Sequence, residues 1–185
     1  MNCLRIKWLS LVVGLVMVGC SDPSSGAIEQ VNDPGAICGS VAADGSATVG
    51  ILSLVNTAQD SVVVDSVELI ESNDLSIIES RISAYPDGAN IDVTPAFGLL
   101  DGYPPPETDL WRASVPAASA EIAPADASND AFVLVLGLQM GPGVNKATAS
   151  SVEIEYTADG GQFAYRFDNS IELHRDSQEP PGSCG

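Results

Sequence analysis

Hydrolysis by an activated serine or cysteine needs a base beside the nucleophile, and this 185-residue chain has one histidine. His174 is followed by Arg175 and Asp176 and falls just past the last clear strand pattern, so it reads as a solvated strand-end residue. No G-x-S-x-G elbow is present. A glycosidase-type pair needs two carboxyls at a defined separation across a cleft. Glu153 and Glu155 instead alternate with apolar residues, and such acids belong to the wet face of a sheet. Copper sites draw on His, Cys and Met; His174, Met140, Cys38 and Cys184 are too few, and zinc fails for the same shortage. Calcium needs only oxygens, which makes Asp87, Asn90 and Asp92 its candidates. Their order departs from the EF-hand loop, and turn chemistry accounts for the segment without an ion. The expectation is a chain with no metal, no cofactor and no enzymatic activity.

The segment from Leu100 to Glu107, LDGYPPPE, reads as an extended polyproline stretch at the surface. Stiff aromatic and proline-rich loops serve as recognition surfaces. Tyr103, Pro104, Pro105, Pro106 and Trp111 are therefore the candidates for contact with a partner. The alternative is a rigid crossover between sheets, with Tyr103 and Trp111 packed beneath it.

The residues that precede all these groups have a pattern of their own. Residues 1–19 carry Arg5 and Lys7 and no acid, then an apolar run from Trp8 to Gly19 broken by Ser10. That is the layout of an export signal. The run is shorter than the ~20 apolar residues that a spanning helix needs. It ends in Met17-Val18-Gly19-Cys20, which resembles the lipobox of bacterial lipoproteins, with Met17 standing where Leu is usual. The resemblance implies that a diacylglyceryl group is attached to Cys20 and that the signal is cut before it. Two acyl chains suffice for stable anchoring. It also implies an exported protein held at the outer face of the cell membrane or, in a two-membrane cell, at the outer membrane or in the periplasm.

With Cys20 assigned to lipid and Cys3 lost with the signal, Cys38 and Cys184 remain as a pair. In an oxidising compartment a disulfide between them is the simplest use. Removing the signal leaves five Lys and Arg against 25 Asp and Glu, a net charge of −20. Such a surface repels phosphate backbones and anionic head groups. Nucleic acid is not an expected partner, and membrane contact falls to the lipid.

The elements that position everything else are strands. Residues 151–157 and 162–167 alternate with period two around Asp159-Gly160-Gly161, a strong hairpin signal. Strict alternation places Phe163, Tyr165 and Phe167 on one face. Residues 132–138 are continuously apolar and read as a central strand covered on both faces. Further strands are expected at 49–55, 62–70, 75–84, 90–93, 111–115 and around 121–122, with a bulge near Asp65-Ser66 where the apolar parity changes. Sustained helical spacing is absent from the sequence after the signal. The fold class is all-β: a two-sheet antiparallel β-sandwich, immunoglobulin-like, forming one domain after a cleaved signal peptide and a flexible tether. The divisions are the signal at 1–19, lipidated Cys20 and an acidic tether at 20–36, the sandwich at 37–175, and a tail at 176–185 tied by the disulfide.

The acidic tether, Gly102-Tyr103-Pro104-Pro105-Pro106, Trp111-Arg112, and the apolar strand ending Leu136-Gly137-Leu138 also resemble exported β-sandwich lipoproteins of bacteria. The expected function is non-enzymatic binding or scaffolding of another envelope protein. A solute- or calcium-binding lipoprotein and a carboxylate-dependent hydrolase of envelope glycans are the alternatives.

Overall fold

The structure, a computed structural model, describes residues 26–31, 35–85, 98–125 and 131–175. Cys20, Cys184, the calcium candidates Asp87, Asn90 and Asp92, and the expected strand at 90–93 lie outside the described residues. In chain order the elements are β1 (Ile28–Gln30), β2 (Ala36–Ser40), β3 (Ser46–Asn56), β4 (Val62–Ile70), β5 (Leu75–Ala84) and β6 (Gly98–Asp101). Helix α1 (Asp109–Ala113) follows, then β7 (Val115–Pro116), β8 (Glu121–Ile122), β9 (Phe132–Met140), β10 (Lys146–Ala149), β11 (Ser151–Ala158), β12 (Gly161–Phe167) and β13 (Ser170–His174).

Strands β11 and β12 form the expected hairpin, with Ala158 opposite Gly161. Asp159 and Gly160 both have positive φ, 49° and 74°. That is the two-residue turn whose twist matches its strands, and a glycine relieves one of its two strained positions. Val152, Ile154, Tyr156 and Phe167 are buried, and the Tyr156 and Phe163 rings stack with centroids 5.7 Å apart. The expected bulge is at Asp65: Val64 opposes Tyr156 and Ser66 opposes Glu155, leaving Asp65 without an opposite number.

Hydrogen bonding divides the strands into three sheets where two were expected. One has six strands in the order β1-β3-β9-β5-β7, with β6 also on β3; one is β12-β11-β4-β8; one is β10-β13-β2. The contact of β13 with β2 is parallel, which corrects the purely antiparallel expectation. The physical reason lies in the final hairpin. It breaks at Ser150 and at Asp168-Asn169, so its lower half pairs with β4 while its upper half carries β2. Ser150 donates its backbone N–H to the Ile70 carbonyl, 3.0 Å, and buried Asn169 accepts from Gln30 Nε2 at 2.8 Å. The result is a mostly-β domain of curled, largely antiparallel sheets. One core joins all three, drawing on Leu52 and Leu54 of β3, Leu134, Leu136 and Leu138 of β9, Ile154 of β11 and Leu173 of β13.

Two boundaries are corrected. Residues 28–30, expected within the tether, pair with β3, and Ile28 is buried in the core. Residues 111–113, expected as the start of a strand at 111–115, belong instead to helix α1, and strand resumes only at Val115. Thr108 caps the helix by accepting from the Trp111 N–H at 3.1 Å, with Asp109 in the first turn and Arg112 in the last. That charge order suits a helix dipole.

A clamped loop as the candidate contact site

Strand β9 runs between β3 and β5 and is covered on both sides. Its even residues enter the main core, while Val133 and Val135 face outward and pack against Leu110, Tyr85 and Trp111. Residues 101–115 supply much of this outer cover. The loop leaves β6 through backbone bonds to β3: Gly102 N–H reaches the Ser46 carbonyl and Tyr103 N–H the Ser46 hydroxyl, each at 3.0 Å. Thr48 Oγ1 donates to the Gly102 carbonyl at 2.7 Å.

Tyr103 then lies flat over Gly137. A methyl group added there would stand 2.4 Å from the ring carbons, so the glycine in an otherwise apolar strand marks a close approach. The Tyr103 hydroxyl donates to Glu79 Oε2, and Glu79 Oε1 accepts from Arg81 Nη1 at 2.6 Å. Arg81 also donates through Nε to Ser114 Oγ, 2.8 Å, and through Nη2 to the Ser114 carbonyl, 2.6 Å. Its guanidinium sits 4.9 Å from the Trp111 ring centroid, within cation–π range. Trp111 meets Tyr103 edge-on, with centroids 5.7 Å apart. The loop is thereby fastened to the sheet at both ends.

The electrostatics point to fastening as well. The Tyr103 hydroxyl, helped by Arg81, holds the Glu79 carboxyl below its ordinary range. Burial and the facing carboxylate push Tyr103 up to about 12. Glu79 is thus kept ionised with both oxygens engaged, the opposite of the raised, proton-bearing carboxyl that a general acid requires.

Of the residues expected to contact a partner, Tyr103 and Trp111 are half-buried in this cluster and Pro105 is buried, whereas Pro104 and Pro106 are exposed. Packing beneath a crossover therefore describes the two rings. The segment is not one straight polyproline rod: it bends at 102–104, and the Tyr103–Pro104 peptide is cis. Sequence reasoning missed Glu79 and Arg81. Their signal was a parity change in β5, where Ile77 and Ile82 are both core-facing because Ile78 bulges between them. That bulge turns Glu79 and Arg81 toward the loop.

The other candidates resolve differently. His174 closes β13, and its Nε2 faces Glu172 Oε1 at 2.7 Å, with Lys146 on the other Glu172 oxygen at 2.8 Å. Its lateral neighbour Ser40 donates to Asp101 at 3.0 Å, so serine, histidine and acid do not connect as a triad. Glu153 pairs with Arg166 at 2.9 Å, and Glu155 accepts from Ser66; both lie on the solvent side of their sheet. Met140 is buried at the end of β9. Cys38 is buried in β2. Among the described residues no three His, Cys, Asp or Glu side chains gather at a metal-holding distance.

An open cleft of ≈ 420 Å³ lies at the end of the domain where β3 begins, lined by Asp44, Gln139, Met140, Pro142, Gly143 and Arg175. Ser46 donates from its hydroxyl and its backbone to the Asp44 carboxylate, at 2.6 and 2.9 Å, and lowers its pKa. Arg175 donates to the carbonyls of Val144, Ala43 and Gly141 at 3.2–3.3 Å.

No protein-family model matches the chain, and no curated protein matches it. Among solved structures it is similar to a family 123 glycoside hydrolase from Clostridium perfringens, at 15% identity over 78% of this chain and 23% of the hydrolase, TM-score 0.36. It is similar to the adhesin CfaE of enterotoxigenic Escherichia coli, at 13% identity over 84% of this chain and 50% of the adhesin, TM-score 0.39. The CooA pilin subunit from enterotoxigenic Escherichia coli gives 11% identity over 82% of this chain and 99% of the pilin, TM-score 0.37. The chain thus spans about a quarter of the hydrolase and half of the adhesin. At TM-scores of 0.36 to 0.39 these likenesses carry no argument about function.

Proposed function

We propose that the chain is a lipid-anchored envelope protein that binds or scaffolds another envelope protein without catalysing a reaction, through the loop at residues 101–115. The observation that carries this reading is the clamp. Glu79, Arg81, Tyr103 and Trp111 hold the loop against the sheet while Pro104, Pro106, Arg112 and Val115 stay exposed. A loop ordered before binding loses little entropy on binding. Anchoring belongs to Cys20, whose Met17-Val18-Gly19 context carries the lipobox resemblance, and the immunoglobulin-like form of the sandwich is part of the same reading. So is the Cys38–Cys184 bridge: Cys38 shares register with Glu172 on the solvent side of β13 and yet is buried. Two free thiols in the unreduced mature protein would remove that bridge.

The test is photocrosslinking in the native cell, with the crosslinker at Pro106 or, as a control, at Glu155. The expected result is a discrete envelope-protein adduct from position 106 and none from 155, in the membrane fraction, lost to the soluble fraction with Cys20→Ala. Equal labelling from both positions would sink the loop as the contact site.

A further inference from the structure

Strand β1 is stitched along both edges. Toward β3, Thr57 N–H donates to the Ala27 carbonyl at 2.7 Å and Val31 N–H to the Ser53 carbonyl at 3.0 Å. Toward the other layer, Ile28 N–H reaches the Tyr156 hydroxyl at 3.4 Å and Gln30 N–H the Tyr165 hydroxyl at 3.0 Å. The hydroxyls take the N–H groups that point away from β3, so the strand bridges the six-stranded and four-stranded sheets. Gly26 is pressed against Tyr156: a Cβ there would meet the hydroxyl at 2.0 Å. The first hydrogen-bonded residue, Ala27, therefore lies seven positions after Cys20, beside Thr57 just past one end of β3.

That end also holds residues 57–60 and the Asp159-Gly160 turn, since Thr157 pairs with Val63 just after the 57–60 loop. The opposite end holds the cleft of Asp44, Gln139, Pro142 and Arg175, with Gln139 paired to Ser46. The ten steps along the 11 residues of β3, at ~3.3 Å each, put the two ends about 30 Å apart. The seven residues from Cys20 to Ala27 span at most about 25 Å even when fully extended, short of the length of β3. The tether is too short to turn the domain over.

From this we infer that the end formed by residues 57–60 and 159–160 faces the membrane, while the cleft end, with the start of the proline-rich loop on Ser46, faces away. The inference rests on lipid attachment at Cys20. It makes the outward end the surface on which an envelope partner is met. The membrane-facing end carries Asp60 and Asp159, both exposed, so it stands over the head groups without binding anionic ones.

The experiment uses the full chain as processed by its native cell, purified and mixed with phosphatidylcholine vesicles carrying a head-group quencher, with a fluorophore on Gln59→Cys or Asn145→Cys. Both positions are exposed, and Asp60→Cys and Pro142→Cys serve as second probes of each end. The expected result is several-fold stronger quenching at 59 and 60 than at 142 and 145. Equal quenching, or stronger quenching at 142 and 145, overturns the orientation. Protein that stays unbound, with no probe quenched, overturns the lipid reading and the orientation with it, and is told apart by sedimentation of the vesicles.

Discussion

The outer face of the six-stranded sheet and the solvent face of the four-stranded sheet each hold a glutamate–arginine pair, in contrasting settings. Glu79 and Arg81 lie on one strand beneath two aromatic rings, their side chains 37% and 20% exposed, and every strong donor around Glu79 belongs to a single cluster. Glu153 and Arg166 face each other across a hairpin, 23% and 52% exposed, with no ring of the described residues over the guanidinium. The same two charges therefore organise a loop in one place and decorate a sheet in the other. What separates them is the cover over the arginine, since Glu79 is the more exposed of the two acids: a charge-assisted bond gains strength and directional value where water is kept from its donor, and an exposed guanidinium is screened.

The sharpest way to break this contrast is Gly137→Ala. Its methyl group would collide with the Tyr103 ring, and overpacking of this kind costs about 1–3 kcal/mol; the midpoint of urea unfolding should fall accordingly. In a Tyr103→Ala background the same substitution should cost far less, because the colliding ring is gone.

Tyr103→Phe comes next. It removes one hydrogen bond to a charged acceptor, worth about 1.5–3 kcal/mol where water is excluded and less at this half-buried site. It should also change the pH dependence at both extremes. Glu79 is depressed below its ordinary 4.5, so the folded protein binds fewer protons than the unfolded chain. Its contribution is complete above 4.5 and lost as pH falls through the lowered value. Tyr103 is raised from 10 to about 12, so its contribution is complete below 10 and lost as pH rises toward 12. Stability–pH curves for the variant should be flatter in both windows. Glu153→Gln, measured the same way, should shift stability by about 0.5 kcal/mol or less. A larger effect there than at Tyr103 would overturn the contrast between the two faces.

Much of the scaffold could be read before folding. Strands 62–70 and 75–84 were delimited by their own apolar pattern, Asp159-Gly160 announced its turn, and the parity change at Asp65-Ser66 announced its bulge. These signals are local: period, turn residues and parity. The clamp was only half legible. Tyr103 and Trp111 stand out as aromatics near prolines, but their partners lie 24 and 30 positions away, and the strand expected at 111–115 overlaps the short helix at 109–113. Thr108 and Asp109 did carry a cap signal. The strand expected at 111–115 rests on β propensity, which is weak evidence over five residues.

By itself the sequence determined the acidic balance of 25 Asp and Glu against seven Lys and Arg, the strand-rich class and the final hairpin. Each follows from composition or from neighbours within a few residues. Tertiary structure decided that the last hairpin breaks to serve two sheets, that β13 meets β2 in parallel, that residues 28–30 leave the tether to bridge the layers, and that Glu79 and Arg81 fasten a loop. Those outcomes depend on which distant groups are left to satisfy buried N–H groups, carboxylates and rings, and no local pattern records that.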